Sequence, residues 1–580
     1  MIKIWTLGNT GLRSADRALE GLRAYALSTL VGDIHGDNEV KLERVLCDAG
    51  LIENFNPSSD GTYGRKWRLA WCRNGFIYAK AKPNDPFSQS DIGQADAITP
   101  LGRRYIEVDT LEANQDLFLR QMIMPLYMVG EDKYYFPFDW KGNDGSYFSP
   151  LLWTLRVLLA LEKATGQAAI RFEEFALHVQ TSDPTYDIDS VIEKILELRH
   201  RRSQSTAKKV FDKREYDKYG LDYLGKANNF KEYGDANLRY LRQTGIFARN
   251  GRGIAIRSEC HSLAQLIIKT DYSSLSLLDR LNIFYNVPSL PTDDAIGAKQ
   301  VLNDMVAVFK AKGLSFDLAN VDMSDAVAMN HARMAMQAVL NKTNENEFAL
   351  RQCKEWKEIS AYMQLIISNK QQDEDFDISV PKESRSAYLE WTIWRSLLAI
   401  DSLINKAAEV RSFRIDQDMM PVNTAPGGRP DLLAEYTDSI IVGEVTLSTS
   451  SMQEAMEGEP VRRHVADQAV STSKHVYGMF IANKIDTNTA ETFRRMVWYL
   501  PNDEPIDLII VPLTLEQYNK VFYYMFEKEI ATPDRLVKLL QDCAFDCKNL
   551  TALQWKVRIN ATVETFIRGY LEVDDHWRRY

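Results

Sequence analysis

The sequence predicts an α+β protein built from several domains. Its 580 residues are too many for one hydrophobic core, because chains usually divide into domains beyond about 250 to 300 residues. The composition is that of a globular protein, with 45% hydrophobic and 26% charged residues. Segments with the apolar spacing of helices occur together with short strand-like segments bounded by turn residues. These observations favour three or four domains that combine helices and strands.

Membrane-spanning and secreted proteins are not expected from this sequence. No stretch reaches the roughly 18 to 20 apolar residues of a membrane-spanning helix, and residues 1–21 show no apolar segment followed by a cleavage site. The six cysteines are scattered, which is typical of free thiols in a reducing compartment. We therefore expect a cytoplasmic protein without a membrane partner.

The chain divides into four predicted segments. Residues 1–135 mix short helices and strands. An amphipathic helix, "SYFSPLLWTLRVLLALEKATG", with leucines on one face, opens residues 136–285. Two prolines in "FYNVPSLPTDD" then interrupt the periodicity, and the helical spacing that follows predicts a connector over residues 286–380. Residues 381–580 form the last predicted domain.

Positive charge is concentrated in one part of an acidic chain. The net charge is −10, yet the segment from Arg199 to Arg257 contains fifteen Lys or Arg residues and only six Asp or Glu residues. Such a basic segment is the expected footprint of a surface that binds a polyanion, and a solvated basic face is the alternative. The density of charge points to Lys208 and Lys209 as candidate contacts.

The end of this basic segment has the pattern of a winged helix. In residues 235–258 a helix stops at Gly245, a short strand follows, and "RNGRG" turns the chain into a second strand. The segment "DAITPLGRRYIE" (96–107) is similar to the boundary between a wing and a helix. Winged helices read DNA by placing a helix in the major groove while the wing grips phosphate, although others bind proteins. The candidate DNA contacts on this pattern are Arg239, Arg242, Arg249 and Arg252.

An acidic hairpin in the last domain carries the clearest chemical pattern. The segment "GGRPDLLAEYTDSIIVGEVTLSTS" predicts a strand, a tight turn and a strand. If Thr437 and Asp438 form a two-residue turn, Asp431 faces Glu444, and residues opposed in this way have Cβ atoms only about 4.5 to 5.5 Å apart. Two facing carboxylates repel unless a cation lies between them, and hard oxygen ligands suit Mg²⁺. The hairpin therefore predicts a metal site, with surface carboxylates on an ordinary hairpin as the alternative.

Two predicted helices flank this hairpin in the sequence. "SRSAYLEWTIWRSLLAIDSLI" places Glu390 on the same stripe as Ile393, Trp394 and Leu397, so this carboxylate should point toward the packed side. "QEAMEGEPVRRHVADQAV" is predicted to enter a helix with Pro460 in its first turn, and two further strands follow. The order helix, strand, strand, helix, strand predicts an α/β domain.

These segments together resemble a known nuclease core. Pro430 and Asp431, followed by Glu444, Val445 and Thr446, are similar to the PD-(D/E)xK motif, and the element order matches that core. More narrowly, "EW" at 390, "PVNTAPGGRPDL", "IVGEVT", "EGEPVRRH" and "MFIA" resemble the AlwI-type family of type IIS restriction and nicking endonucleases. The resemblance extends upstream through "FSPLLWTLRVLLALEK", "RYLRQTGIF" and "NVPSLP", so it covers most of the chain.

The resemblance implies a fold and a function. The fold would comprise N-terminal winged-helix-like DNA-recognition subdomains, a helical linker, and a C-terminal α/β nuclease domain of the PD-(D/E)xK type. The protein would bind a short asymmetric site in double-stranded DNA and hydrolyse a phosphodiester a few bases outside it with Mg²⁺, as part of restriction–modification in the cytoplasm of a prokaryote. One chain carries one such centre, so cutting both strands would need a second copy or a small nuclease subunit.

The resemblance also implies the site residues, with one departure from the general nuclease pattern. The third motif position is Thr446 rather than Lys, so the cation that usually polarises the attacking water or the phosphate is missing. We expect water activated by Mg²⁺ as the nucleophile, with an acidic or imidazole side chain orienting it or transferring protons. The implied cluster consists of Asp431 and Glu444 as principal metal ligands, together with Glu390, Glu457 and His464.

Two other functions stay open at this stage. The chain could be a DNA-binding regulator whose last domain has lost catalysis, although the intact acidic set argues against this. "GDIHG" (32–36) is similar to the first metal loop of metallophosphatases through Asp33 and His35. The downstream ligand blocks of those enzymes, GDxxDRG and GNHE, do not occur in the sequence. We therefore expect this segment to be a turn in which Asp33 or Asp37 caps the following helix.

Overall fold

The computed structural model divides the chain into two compact units, Met1–Leu340 and Asn341–Tyr580. The protein is mostly helical with several small sheets, which confirms the predicted α+β class, while the four-segment division stays a prediction. Lys226 of the basic segment lies outside the described residues. The structure describes residues 2–8, 12, 15–52, 55–56, 59–83, 85–136, 146–223, 228–373, 375–376, 378–449 and 452–577. Within these ranges no helix has both the length and the apolar character needed to cross a membrane.

The first unit combines many short helices with two small sheets. Its strands are β1 (Tyr127–Val129), β2 (Tyr134–Tyr135), β3 (Tyr147–Phe148), β4 (Ala169–Ile170), β5 (Phe247–Asn250) and β6 (Gly253–Ile256). Its helices are α1 (Ala15–Ala26), α2 (Asn38–Asp48), α3 (Thr62–Arg73), α4 (Gln89–Ile92), α5 (Pro100–Glu107), α6 (Leu111–Met122), α7 (Pro150–Thr165), α8 (Phe172–Glu174), α9 (Ile188–Gln204), α10 (Lys208–Gly220), α11 (Asn229–Arg242), α12 (His261–Ile267), α13 (Leu277–Tyr285), α14 (Ala295–Ala311) and α15 (Ala326–Arg351), the last of which continues past Leu340.

Helix α7 lies in the core of the first unit. The Ser149 side chain caps its start by accepting a hydrogen bond from the Leu152 N–H at 3.2 Å, and Gly166 ends it in the left-handed conformation. The predicted apolar face is buried, and burial extends beyond it to Trp153 and Thr154. Arg156 and Lys163 are exposed on the remaining side, as expected for an amphipathic helix.

The basic segment ends in the predicted helix and hairpin. Helix α11 is followed by Gly245 at a φ of 74°. Strands β5 and β6 pair antiparallel with Asn250 opposite Gly253, and β4 completes a sheet in the order β4-β6-β5. The elements predicted over residues 235–258 are therefore present, while their assignment to a winged-helix fold stays a prediction.

The GDIHG loop is organised by Asp96 rather than by helix capping. Asp37 lies at the N-cap of α2, but its side chain makes no capping hydrogen bond, and the Asp33 carboxylate bonds an asparagine side chain instead. The buried Asp96 carboxylate accepts a hydrogen bond from the Ile34 N–H at 3.1 Å and lies 2.5 Å from His35 Nδ1. The predicted cap is therefore wrong, because Asp96, which is distant in sequence, forms the hydrogen bonds that hold the loop.

The second unit is built around one larger sheet. Its strands are β7 (Gln372–Asp373), β8 (Ile378–Ser379), β9 (Leu432–Glu435), β10 (Ser439–Thr446), β11 (His475–Ala482), β12 (Val497–Tyr499), β13 (Pro505–Asp507) and β14 (Ile509–Thr514). Its helices are α16 (Trp356–Ile367), α17 (Arg385–Ala399), α18 (Ala407–Val410), α19 (Met452–Ser471), α20 (Thr487–Arg494), α21 (Leu515–Glu527), α22 (Pro533–Ala544) and α23 (Ala552–Trp577).

The central sheet has the strand order β14-β11-β10-β9. Strands β14, β11 and β10 are parallel, and β9 pairs antiparallel with β10. Parallel strands are covered on both faces and are apolar throughout, and β10 and β11 accordingly bury nearly all of their side chains. The predicted register of the hairpin is confirmed, because Leu432 faces Gly443. The next opposed positions are then Asp431 and Glu444.

A glycine in β11 lets helix α19 pack closely on the sheet. A side chain at Gly478 would bring its Cβ atom within 2.8 Å of Val465 Cγ2 and 2.9 Å of Ile510 Cγ1. Helix α19 begins at Met452, so Pro460 lies inside it, and the prediction of a first-turn proline is wrong. An internal proline removes one helical hydrogen bond, and the packing of α19 against the sheet stabilises the helix in spite of this loss.

Candidate active site

The second unit brings the predicted catalytic residues together from four elements. Asp431 directly precedes β9, and Glu444 lies in β10. Glu390 comes from α17, which packs against both strands, while Glu457 and His464 come from α19. Burial has the largest effect on the pKa values of Asp431 and Glu390, and the charges of the other residues in this set of five come next among the electrostatic causes. The five side chains therefore lie within electrostatic reach of one another.

Asp431 and Glu444 are held to each other through main-chain groups. The Val445 N–H donates to Asp431 Oδ2 at 2.9 Å, and the Asp431 N–H donates to the Glu444 carboxylate. Burial, followed by the charge of Glu444, raises the pKa of Asp431 well above its usual value. Burial also raises the pKa of Glu444 to about 8. Two carboxylates held next to each other inside the protein favour a shared proton or a bound cation.

His464 contacts the same pair from helix α19. Its Nδ1 lies 2.6 Å from Glu444 Oε1, and each of the two side chains is 7% exposed. Burial is the largest cause that lowers the pKa of His464, which favours the neutral ring. Its Nε2 is buried without a hydrogen-bond partner in the described part of the chain. A buried nitrogen in this state marks a position that water, metal or substrate completes.

Glu390 closes the cluster from helix α17. Its Oε2 accepts a hydrogen bond from the Ala425 N–H at 2.6 Å, which ties α17 to the loop that leads to Asp431. The residue is buried, and burial, followed by the charge of Asp431, raises the pKa of Glu390 well above its usual value. The carboxylate thus points into the protein, as the helical spacing predicts.

Thr446 occupies the motif position of the absent lysine, and it contacts Glu457. Its Oγ1 accepts a hydrogen bond from the Ser448 N–H at 3.2 Å, and its hydroxyl donates to the Glu457 carboxylate. Burial is the larger influence and raises the pKa of Glu457, while the threonine hydrogen bond lowers it. Thr446 therefore fixes the orientation of Glu457 and stabilises its ionised form.

The donor set fits a hard divalent cation. Buried carboxylates with raised pKa values and an unpartnered His464 Nε2 are what a missing positive charge would produce. Carboxylate oxygens in an open arrangement suit Mg²⁺. Among the described residues, however, no group of three or more His, Cys, Asp or Glu side chains is already arranged around one point. Rotation of the carboxylates onto the ion would reconcile the two observations.

The GDIHG loop of the first unit has no comparable cluster of metal-ligating side chains among the described residues. His35 contacts the buried Asp96, and no further acidic, histidine or cysteine ligands join them as a metal-binding group among the residues that the structure describes. The fold thus gives no support to the phosphatase alternative.

Comparison with known proteins identifies the family. The family model described as AlwI restriction endonuclease matches residues 73–521, which include the whole acidic cluster. The chain belongs to the AlwI restriction endonuclease family. It is a type IIS deoxyribonuclease, which confirms the resemblance seen in the sequence. Among solved structures, the small subunit of the heterodimeric restriction endonuclease R.BspD6I is 20% identical to it, with 36% of this chain and 97% of that chain covered and a TM-score of 0.27. No curated protein matches the chain.

The predicted DNA contacts of this AlwI-family enzyme all lie in the first unit, whereas the acidic cluster lies in the second. Lys208 and Lys209 are exposed in the first turn of α10. Lys209 and all four predicted arginine contacts also interact with a neighbouring group. The four arginines are Arg239 and Arg242 of α11, Arg249 of β5, and Arg252 of the turn between β5 and β6.

Sequence reasoning missed the contact between Thr446 and Glu457. The motif comparison treats Thr446 only as the loss of a lysine. The strand alternation contains the missing signal, because Thr446 follows Glu444 by two residues and therefore shares its face of the sheet. A hydroxyl on that face is placed to bond any acidic side chain that packs over it.

We expect the metal-free enzyme to lose thermal stability as the pH rises from about 4.5, the usual pKa of a glutamate, to about 8, the raised pKa of Glu444. The pKa values of Asp431, Glu444 and Glu390 are raised in the folded state, so across this range the folded state binds more protons than the unfolded chain. Above the folded pKa of Glu444 its contribution to the fall should level off. Calorimetry in EDTA measures this dependence, and Mg²⁺ should raise the Tm more at high pH than at low pH. Glu444→Gln should flatten the curve, and an unchanged slope in that variant would contradict the assignment.

Thr446→Val should slow DNA cleavage, whereas Thr446→Ser should preserve it. Valine keeps the shape but cannot donate to Glu457, so the single-turnover rate should fall by about 10- to 100-fold, as for other supporting contacts at catalytic sites. The pKa of Glu457 should rise when this hydrogen bond is removed, which moves the pH–rate profile to higher pH. Equal rates and profiles in the two variants would show that the hydroxyl has no such role.

Proposed function

We propose that this AlwI-family enzyme binds a short asymmetric site in double-stranded DNA and hydrolyses a phosphodiester a few bases outside it. Membership of the family implies DNA cleavage. The cluster of Asp431, Glu444 and His464 supports placing the reaction in the second unit. This cluster carries the proposal, because buried carboxylates held together in this way are costly unless they bind a cation.

Asp431 and Glu444 would hold the divalent ion, for which we propose Mg²⁺. When bound, such an ion neutralises charge on the scissile phosphate and lowers the pKa of a water molecule. The Val445 N–H holds Asp431 Oδ2 in place, so the remaining oxygens of the two carboxylates would turn onto the ion when it binds.

His464 and Glu457 would handle the proton of the attacking water and of the leaving oxygen. When the Nδ1–H of His464 donates to an ionised Glu444, its Nε2 carries a lone pair that can accept a proton. Glu457 has a pKa raised by burial, which moves this carboxyl toward the range useful for acid–base catalysis. We propose that these two residues take over the proton-handling part of the absent lysine's role.

We also propose that one chain cuts one strand by itself. The sequence contains one copy of the acidic motif, around Asp431 and Glu444. Cutting the second strand would then need a second copy of this chain or a small nuclease subunit.

Asp431→Ala should abolish Mg²⁺-dependent cleavage, by at least about 1000-fold in rate, and should leave sequence-specific DNA binding intact. Asp438→Ala is the matched control, because Asp438 lies exposed in the turn of the same hairpin and should not affect cleavage. A plasmid-nicking assay and a gel-shift assay in Ca²⁺ measure the two properties. An active Asp431→Ala enzyme would refute the site. A wild-type protein that binds DNA without cutting it would favour the DNA-binding alternative.

The dependence on enzyme concentration tests the single-strand proposal. Nicking of a plasmid with one site should rise linearly with the concentration of this chain. Double-strand breaks should rise more steeply, because they require a second active site. Linear formation of double-strand breaks from the lowest concentrations would show that a single chain cuts both strands.

A further inference from the structure

Helix α10 of the first unit exposes a basic face. The side chains of Lys209, Lys213, Arg214 and Lys218 are exposed on it, and Lys208 is exposed at the start of the helix. At 100° per residue, Lys213 and Arg214 flank the middle of the outer face, which lies opposite the buried residues of the helix. The side chains of Lys208, Lys213 and Arg214 make no ion pair with the residues that the structure describes.

Two of the three acidic residues of α10, Asp212 and Glu215, are paired with arginines of α9. Glu215 receives two hydrogen bonds from Arg201 of α9, at 2.6 and 2.9 Å. Asp212 receives two from Arg202, at 2.7 and 2.8 Å. Paired hydrogen bonds between Arg and carboxylate are strong and geometrically specific. The packing of α9 on α10 therefore removes negative charge from the helix and leaves its outer face basic.

Two arginines of the predicted winged helix also lie next to carboxylates. Arg239 pairs with Asp235 at 3.0 Å. Arg252 lies 3.7 Å from Glu173 and stacks over the ring of Phe172, with 4.3 Å to its centroid. Some basic residues of this segment are therefore paired with carboxylates, whereas α10 carries basic residues that are not.

The basic face of α10 is unfavourable for the free protein. Like charges stand four residues apart at Lys209 and Lys213 and again at Arg214 and Lys218, and such pairs destabilise a helix. The first turn contains no acidic residue, although cations at a helix N-terminus oppose the helix dipole. On the outer face only Asp217 offers negative charge. A bound polyanion would relieve this repulsion.

We propose that the outer face of α10 binds the phosphate backbone of duplex DNA and supplies the sequence-independent part of the enzyme's affinity. This inference rests on the proposed function. Lys209 and Lys218 lie about 13.5 Å apart along the helix axis, and the major groove is about 12 Å wide, so the face can reach phosphates on both sides of that groove. Lysine acts as a flexible point charge, which suits contacts that position the duplex without reading bases.

Neutralising this face tests the proposal. The variant Lys208→Gln/Lys213→Gln/Arg214→Gln/Lys218→Gln should bind cognate and unrelated duplexes about 10- to 1000-fold more weakly near physiological salt. The slope of log K against log salt should fall by roughly 1 for each phosphate that the variant no longer binds. The matched control Lys299→Gln/Lys310→Gln/Lys342→Gln/Lys528→Gln removes the same charge from other exposed positions and should keep the wild-type slope.

A charge-retaining variant separates this role from a structural one. Lys208→Arg/Lys213→Arg/Lys218→Arg should keep the wild-type affinity and salt slope. A neutralised variant with the wild-type slope would overturn the proposal, as would equal weakening in the charge-retaining variant. Weakening confined to the cognate duplex, or to single-stranded DNA or an acidic protein, would also overturn it. A wild-type chain that cuts no duplex would refute the proposed function, whereas these outcomes refute only the role of α10.

Discussion

The repulsion between Asp431 and Glu444 is the constraint on which the active site depends. The sheet places the two carboxylates at opposed positions. The Asp431 carboxylate accepts a hydrogen bond from the Val445 N–H, and the Glu444 carboxylate accepts one from the Asp431 N–H. These hydrogen bonds hold the oxygens in place but supply no full positive charge. Burial beneath α17 and α19 then makes the unbalanced charge expensive. In the proposed function a divalent cation resolves this conflict, which would link the stability of the second unit to its chemistry.

Helix α19 transmits this constraint to the proton-handling groups. It can lie close to the sheet because Gly478 has no side chain to keep it away. From this position it directs His464 toward Glu444 and Glu457 toward Thr446. The distance between helix and sheet therefore sets how close His464 and Glu457 lie to the residues on the strands. Packing at a single strand position thereby affects the geometry of the whole acidic cluster.

The predictions that succeeded rest on local periodicity. Strand alternation and a two-residue turn fix the partner of Asp431, because a shift by one residue would turn every side chain to the other face. Helical spacing likewise fixes the inward direction of Glu390. The predictions that failed depend on distant contacts. Asp96 replaces the expected cap at Asp37, and the packing of α19 carries a helix through Pro460.

The sequence also could not show which basic side chains are neutralised by a neighbouring carboxylate. Composition identifies a basic segment, but it cannot show that α9 neutralises the acids of α10, because this pairing arises only when the two helices pack. The arginines before and in the hairpin are the conspicuous candidates in the sequence. The structure instead distinguishes paired cations from cations that face outward, and this distinction directs attention to α10.

The two-residue turn at Thr437 and Asp438 has a consequence for how the active site assembles. Short loops close at little entropic expense, so the strands that carry Asp431 and Glu444 can meet early during folding. Helix α19, which carries His464, packs against β11 as well as β10, so we expect it to dock after β11 has joined the sheet. The electrostatic penalty of the acidic pair thus arises before its histidine partner is in place, and divalent ions in the surrounding solution should speed the maturation of the nascent domain.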